Sequence, residues 1–301
     1  MIEQVGNVKI NMEFYLGEDL YSDGDIEDEI LDIVKNNTDF TEILHKDSKW
    51  SILYHFTPLR RNLLEWYNFK KDSSILEIGA GCGALTGLFC EKVEKVTAVE
   101  LSKKRADIIA NRHIDKTNLE IVVGNFNDIS FKEKFDYITL IGVLEYAGKY
   151  TDSKNPFVDF LSKIKVLLKP KGTLIIAIEN KFGLKYWAGA REDHTGKLFD
   201  SIENYLDDGD VRTFGKDELT KILDGVGFNN LEYYYPMPDY KIPVKIFSDE
   251  YLPTIGQIGG NFPNYDQQRY IFLNEKTSYD NIILNNHFDF FANSFLVFCK
   301  K

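Results

Sequence analysis

The stretch Leu76-Glu77-Ile78-Gly79-Ala80-Gly81-Cys82-Gly83-Ala84-Leu85-Thr86 decides how the rest of the chain is read. Its apolar lead-in, Ser74-Ile75-Leu76, predicts a short buried strand, and Ala84 to Val93 predicts the helix that follows. Between them the chain lacks side chains at Gly79, Gly81 and Gly83, so the backbone can turn sharply and let a ligand lie against it. The plain alternative is a glycine-rich turn with no ligand, and the segments that follow weigh against it.

Two cofactors compete for such a loop. Gly79-x-Gly81-x-x-Ala84 satisfies the dinucleotide fingerprint, with an acid about 20 positions on, as an NAD(P)-linked oxidoreductase requires. Glu77-x-Gly79-x-Gly81-x-Gly83 equally satisfies an acidic-G-x-G-x-G loop. By that loop the chain resembles the class I S-adenosylmethionine (SAM) methyltransferases. A carboxylate at Glu77 would repel a pyrophosphate, whereas beside SAM it can orient the loop and the methionine end.

The resemblance then implies further cofactor residues. Lys95 to Glu100 predicts the second strand, and Glu100 at its end would accept the ribose hydroxyls, as in dinucleotide sites too. Leu101 would offer adenine an apolar face. Leu119 to Gly124 predicts the third strand; Asn125 after it stands where the family often has Asp, and its amide oxygen can hold the adenine amino group while the Phe126 N–H meets the ring. Phe135 to Tyr146 predicts strand four running into its loop, with Ile141 beside the cofactor. Leu144-Glu145-Tyr146 resembles the V-L-E-H segment of small-molecule methyltransferases, Tyr146 replacing the His. Ahead of the loop, Trp50 to Tyr67 predicts a helical stretch broken at Pro58, from which Tyr54 and Arg60 can reach the methionine carboxylate or simply face solvent.

Thr173 to Ile178 predicts strand five, Leu231 to Tyr235 strand six, and Asn293 to Lys301 an apolar strand at the C-terminus. A final strand inserted antiparallel beside strand six separates the methyltransferase sheet from the dehydrogenase one. The expected fold is therefore α/β: a doubly wound, Rossmann-like, seven-stranded sheet with an antiparallel last strand. Residues 1–55 are expected as an N-terminal extension, a packing cap or homodimer contact with a substrate lid as the alternative. Residues 56–301 are expected as the methyltransferase domain, with a subdomain inserted at about 241–291.

Strand five leads into the most unusual connection, Glu179 to Gly196, which carries acids, bases, aromatics and His194. Unpatterned loops of this length are usually functional, and aromatics argue against disorder. By residue type His194 is the best-placed base for a hydroxyl acceptor, with Glu145, Tyr146 and Glu179 as competitors; its bland reading is a structural hydrogen-bond pair with Asp193. The run from Ile178 to Tyr205, together with Tyr235-Pro236-Met237-Pro238-Asp239-Tyr240-Lys241, resembles a bacterial methyltransferase subgroup encoded among surface-glycan and glycosyltransferase genes. That resemblance implies a small-molecule or glycan-linked acceptor, or else a SAM-binding accessory protein that partners a glycosyltransferase without turnover.

Composition sets the remaining bounds. With 301 residues, 44% hydrophobic, the chain can bury a full core. A net charge of −11 disfavours a nucleic-acid partner, although a local basic cleft can hide within it. Cys82, Cys90 and Cys299 make no disulfide or ligand pattern, the start lacks a signal-peptide pattern, and no apolar run approaches the roughly 20 residues of a membrane span. A cytoplasmic protein without a metal-ligand spacing is the expectation.

Overall fold

The computed structural model describes residues 1–19, 21–206, 209–259 and 268–301. The chain opens with strands β1 (Ile2–Val5) and β2 (Val8–Asn11), then helices α1 (Ile26–Asn36), α2 (Thr41–Lys46) and α3 (Trp50–Phe56). There follow β3 (Ser74–Ile78), α4 (Thr86–Lys92), β4 (Lys95–Glu100), α5 (Lys103–Arg112), β5 (Leu119–Val123) and β6 (Phe135–Ile141). After them come α6 (Ala147–Tyr150), α7 (Pro156–Leu167), β7 (Leu168–Glu179), α8 (Leu184–Trp187), α9 (Lys216–Val226), β8 (Asn230–Met237) and β9 (Lys245–Ser248). The last elements are α10 (Glu275–Leu284), α11 (Phe288–Phe291) and β10 (Ser294–Lys300).

These elements divide into two compact units, one of residues 1–141 and 163–174, the other of residues 142–162 and 175–301. In the first unit the strand order is β1-β2-β5-β4-β3-β6, with the first half of β7 beside β6. The pairs β3–β4, β3–β6, β4–β5 and β2–β5 are parallel. Such strands are buried on both faces and so read as continuous apolar runs; Ile75, Leu76, Val96, Ala98, Ile121 and Ile138 are fully buried.

The second unit holds the far half of β7 and the order β7-β10-β8-β9. Here β10 runs antiparallel to β8, Leu296 opposite Tyr234 and Lys300 opposite Asn230. The antiparallel last strand that separates the two candidate sheets is therefore present. Three strands go beyond the expected seven: β1 and β2 in the first unit, and β9, antiparallel to β8, in the second.

The boundary expected between residues 55 and 56 does not coincide with the division into units. β2 pairs with β5, and the apolar face of α1 packs Ile30 and Val34 with Ile52, Phe56, Ile108 and Cys82 of the glycine loop. The segment thus extends the sheet of its unit and shares its core. The same segment reaches the carboxyl end of the strands: the Phe14 carbonyl lies where a Cβ on Gly124 would come within 2.6 Å of it, and Asp19 accepts from Ser102 Oγ at 2.8 Å and Lys103 N at 2.7 Å. The insertion expected at about 241–291 supplies β9, α10 and α11 to the second unit; its residues 260–267 lie outside those described. No helix among the described residues is long and apolar enough to cross a membrane.

Candidate functional site

The glycine loop leaves the carboxyl end of β3 in the first unit. Gly79, Gly81 and Gly83 have φ of +71°, +58° and +74°, the left-handed region that residues with a Cβ enter only under strain. A Cβ on Gly81 would meet nothing within 4 Å, so the loop presents open space there. A Cβ on Gly83 would lie 3.1 Å from His113 Nε2, which itself contacts the Gly83 carbonyl at 2.9 Å. Burial pushes His113 down to about 4, so a neutral imidazole backs the turn.

Two buried acids hold this loop. Glu100, last residue of β4, accepts from Gly81 N at 2.7 Å on one oxygen and from Leu101 N and Ser102 N at 2.9 and 3.1 Å on the other. Three of about four acceptor positions of the carboxylate are thus taken by its own neighbours. Burial raises its pKa, against the pull of Arg105 and of these N–H groups. Glu77 accepts from Thr86 Oγ1 at 2.6 Å, and burial pushes its pKa up to about 8. The loop is tied to the β4 end through backbone donors.

The remaining expected cofactor residues lie at the ends of neighbouring strands of the same unit. Half-buried Leu101 follows β4, and half-buried Ile141 ends β6. Asn125 follows β5, its side-chain oxygen accepting from Asn127 N at 3.0 Å in a local turn. Phe126 is buried, and Lys163 donates to its carbonyl at 2.8 Å. Arg60 is buried, not solvated, its guanidinium 3.9 Å from the centre of the Tyr54 ring.

A second concentration of charge lies in the second unit. Glu145 comes shortly after Gly142, Glu179 ends β7, and Lys185, Tyr186, Glu192, Asp193 and His194 belong to the long connection; Tyr240 and Lys241 follow β8. Lys241 pairs with Glu179 and, at 2.7 Å, with Asp193. Lys185 lies 2.8 Å from Asp193 and 3.4 Å from Asp239. Tyr186 donates to Asp193 at 2.5 Å, and Tyr240 to Glu179 at 3.2 Å. Burial alone would raise Asp193, but Lys185 and Lys241 hold it well below the usual carboxylate range. Burial would lower Lys241, yet Asp193 and Glu179 drive it well above its ordinary value.

His194 does not pair with Asp193. Its Nδ1 lies 3.0 Å from Glu192 Oε1 and its Nε2 3.6 Å from Glu145 Oε1; the Tyr146 ring stands edge-on to it at 5.5 Å. Burial acts to lower its pKa, but Glu145 and Glu192 together raise it well above 6.5. In that setting His194 holds a proton at neutral pH rather than standing ready to take one. Glu145 is raised, chiefly by burial and also by Glu179, while His194 pulls it back. The other oxygen of Glu145, like that of Glu179, is buried and has no hydrogen-bond partner.

The sequence-level candidates Glu145, Tyr146, Glu179 and His194 are thus brought together. Lys185, Lys241 and Glu192 were missed as members of the cluster. The available signals were the run of charge in the connection and Lys241 at the end of the stretch from Tyr235.

Residues 76–176 match the family model described as a methyltransferase domain. The malonyl-acyl-carrier-protein O-methyltransferase of Priestia megaterium is 28% identical over 118 residues, covering 38% of this chain and 40% of that protein. The rRNA adenine N-6-methyltransferase of Bacillus licheniformis is 34% identical over 90 residues, covering 30% of this chain and 31% of its own. The chain thus spans well under half the length of these relatives. Among solved structures, the phosphoethanolamine N-methyltransferase 1 of Haemonchus contortus, complexed with phosphoethanolamine and S-adenosylhomocysteine, superposes with a TM-score of 0.50. It covers 92% of this chain and 48% of its own at 12% identity, a likeness of fold alone. SAM is the cofactor of this fold, and the loop fits it: open space at Gly81, with Glu100 retaining an acceptor position beside it.

Proposed function

We propose that this chain, which has the fold of class I SAM-dependent methyltransferases, moves a methyl group from SAM to an oxygen or nitrogen of a small-molecule or glycan-linked acceptor. The observation that carries the reading is the link between the glycine loop at the β3 end and Glu100 at the β4 end, Gly81 N donating at 2.7 Å. Ligands of doubly wound sheets sit at the carboxyl ends of the strands, where this link lies.

In this reading Gly79, Gly81 and Gly83 lie along the methionine end, and Glu77 keeps the loop in place through Thr86. Glu100 accepts from a ribose hydroxyl at its remaining position. Leu101 and Ile141 flank the adenine, whose edge meets Asn125 and the Phe126 N–H. SAM supplies an activated methyl group, displaced in line from its sulfonium, so the protein contributes mainly alignment. Glu145, Tyr146 and Glu179 serve the acceptor and the proton it sheds, and His194, already holding a proton, orients Glu145.

A glycan-linked acceptor draws support from the second unit, where Phe272 stacks on both Tyr270, at 5.6 Å, and Phe199, at 6.0 Å, and Tyr270 is more than half exposed. Flat aromatic faces suit the apolar faces of sugars. An RNA acceptor is the second reading, favoured by the relative named for rRNA adenine methylation and opposed by the net charge of −11.

SAM labelled in its methyl group, incubated with fractionated host extract and with Glu100→Ala as the blank, tests both. Label in nucleotide-sugar or lipid-glycan fractions supports the glycan reading, and label in RNA selects the second. SAM binding with no label in any fraction would leave an accessory protein in place of an enzyme.

A further inference from the structure

We propose that Glu145, Glu179 and His194 form a binding site for one divalent first-row metal ion, of the kind of Mn²⁺ or Zn²⁺. The three residues come from separate segments of the second unit, yet one ligand atom from each lies within 4.8 Å of the others.

The orientation of His194 is the first argument. Glu192 Oε2 accepts from the backbone N–H of His194 at 2.6 Å and of Thr195 at 2.7 Å. Its Oε1 accepts from the Tyr205 hydroxyl at 3.2 Å and lies 3.0 Å from His194 Nδ1, which sets Nδ1 against the carboxylate as the donor nitrogen. A carboxylate that fixes Nδ1–H and leaves Nε2 pointing at further donor atoms is the usual setting of a metal-bound histidine.

The second argument is spacing. His194 Nε2 and Glu145 Oε1 are 3.6 Å apart, too far for a good hydrogen bond. Two ligands each about 2.1 Å from one ion, at a tetrahedral angle, stand about 3.4 Å apart. The distance that is poor for a direct bond suits two atoms sharing an ion.

Third, Glu145 and Glu179 are 1% and 0% exposed, and each keeps one oxygen without a hydrogen-bond partner. Leaving such atoms unanswered costs about 1–3 kcal/mol each, more when charged. Lys185 and Lys241 are taken up by Asp193, Asp239 and Glu179, and the cationic group beside Glu145 is His194 itself.

The surroundings hold the ligands in place. Lys241 and Tyr240 both donate to the other oxygen of Glu179. Gly142, at φ +70°, lets Tyr240 approach: a Cβ there would come within 2.7 Å of its hydroxyl and 3.6 Å of Glu145 Oε1. Two carboxylates and one imidazole, with no thiolate, favour Mn²⁺ or Zn²⁺ over Cu⁺, and the imidazole favours them over Ca²⁺.

The test uses the full chain, stripped with a chelator, and the metal alone, so it does not depend on the methyl-transfer reading. Calorimetric titration with Mn²⁺ and with Zn²⁺ is expected to give one ion per chain. Glu179→Gln should weaken binding at least tenfold, and Glu192→Gln about 10–100-fold through the orientation of His194. No saturable binding, or variants that bind like the parent, overturns the site. Because a variant can fail to fold, the His194 ring nitrogens are also followed by NMR in the unmodified protein. Zn²⁺ should shift Nε2 while Nδ1 keeps its hydrogen; an imidazolium unchanged by Zn²⁺ means that a proton occupies the place assigned to the ion.

Discussion

The glycine loop of the first unit and the charged cluster of the second both bury acids, but they answer them differently. Glu100 is met by backbone N–H groups of Gly81, Leu101 and Ser102, and Glu77 by a hydroxyl nine positions away. Glu179 and Asp193 are met by Lys241 from 62 and 48 positions away, and Lys185 by Asp239 from 54, although Tyr186 and Lys185 also reach Asp193 from within the connection. Backbone donors survive most substitutions and need only the local turn. Side-chain ions must be delivered by the whole fold, and each one lost strands another. The loop is therefore sturdy and local, the cluster dependent and global.

The strongest way to break this contrast is Lys241→Met. It leaves Glu179 without its ammonium and Asp193 with only Lys185, and removing one partner from a buried pair typically costs about 3–5 kcal/mol. Urea denaturation should show that loss. A loss under about 1 kcal/mol, the scale of an exposed pair such as Lys46–Glu42, would make the cluster no more dependent than the surface.

Next in size is a pH effect in the loop. Glu77 titrates near 4.5 unfolded and at about 8 folded, so over that interval the folded protein holds a proton the unfolded chain has released. Stability from this group is full below about 4.5 and is lost as pH rises toward 8, about 3 kcal/mol between pH 5 and 8. Thermal unfolding of Glu77→Gln should lack that part of the slope; identical slopes in both proteins would mean that the Thr86 hydroxyl suffices to keep the acid ionised.

Glu100→Ala removes the acceptor of three backbone N–H groups and of the proposed ribose contact. Charge-assisted hydrogen bonds contribute about 1.5–3 kcal/mol, so affinity for S-adenosylhomocysteine should fall about 10–100-fold by calorimetry. Unchanged affinity would remove Glu100 from the cofactor site. The smallest effect expected is that of Gly81→Ala: with open space around its Cβ, only the strain of φ +58° remains, about 1–2 kcal/mol of stability. A larger loss would mean that the loop is as globally coupled as the cluster.

Legibility in sequence follows the same division. The loop, Glu100, Asn125 and the strand and helix order could be read because each rests on a strand, a turn and a helix contiguous in the chain. Residues 1–55 read as a packing cap or dimer contact, but the partners of α1 in the core, Ile52, Phe56 and Cys82, leave no mark in the local pattern. His194 reads as a base by residue type, and its alternative, a structural pair with Asp193, rests on adjacency in sequence. In the fold Asp193 turns to Lys185 and Lys241, and His194 to Glu192 and Glu145. Successive residues in a connection can point to opposite sides, and no spacing records which.

The sequence by itself determined the parallel core, the glycine turn that only residues without a Cβ enter easily, and the acid at the end of the second strand. These depend on periodicity and on backbone sterics, which act over a few residues. Tertiary structure alone decided which charges meet. Glu145, Glu179, Glu192, His194 and Lys241 become neighbours only when strand ends and a long connection converge, and buried charge is tolerable only where partners arrive together.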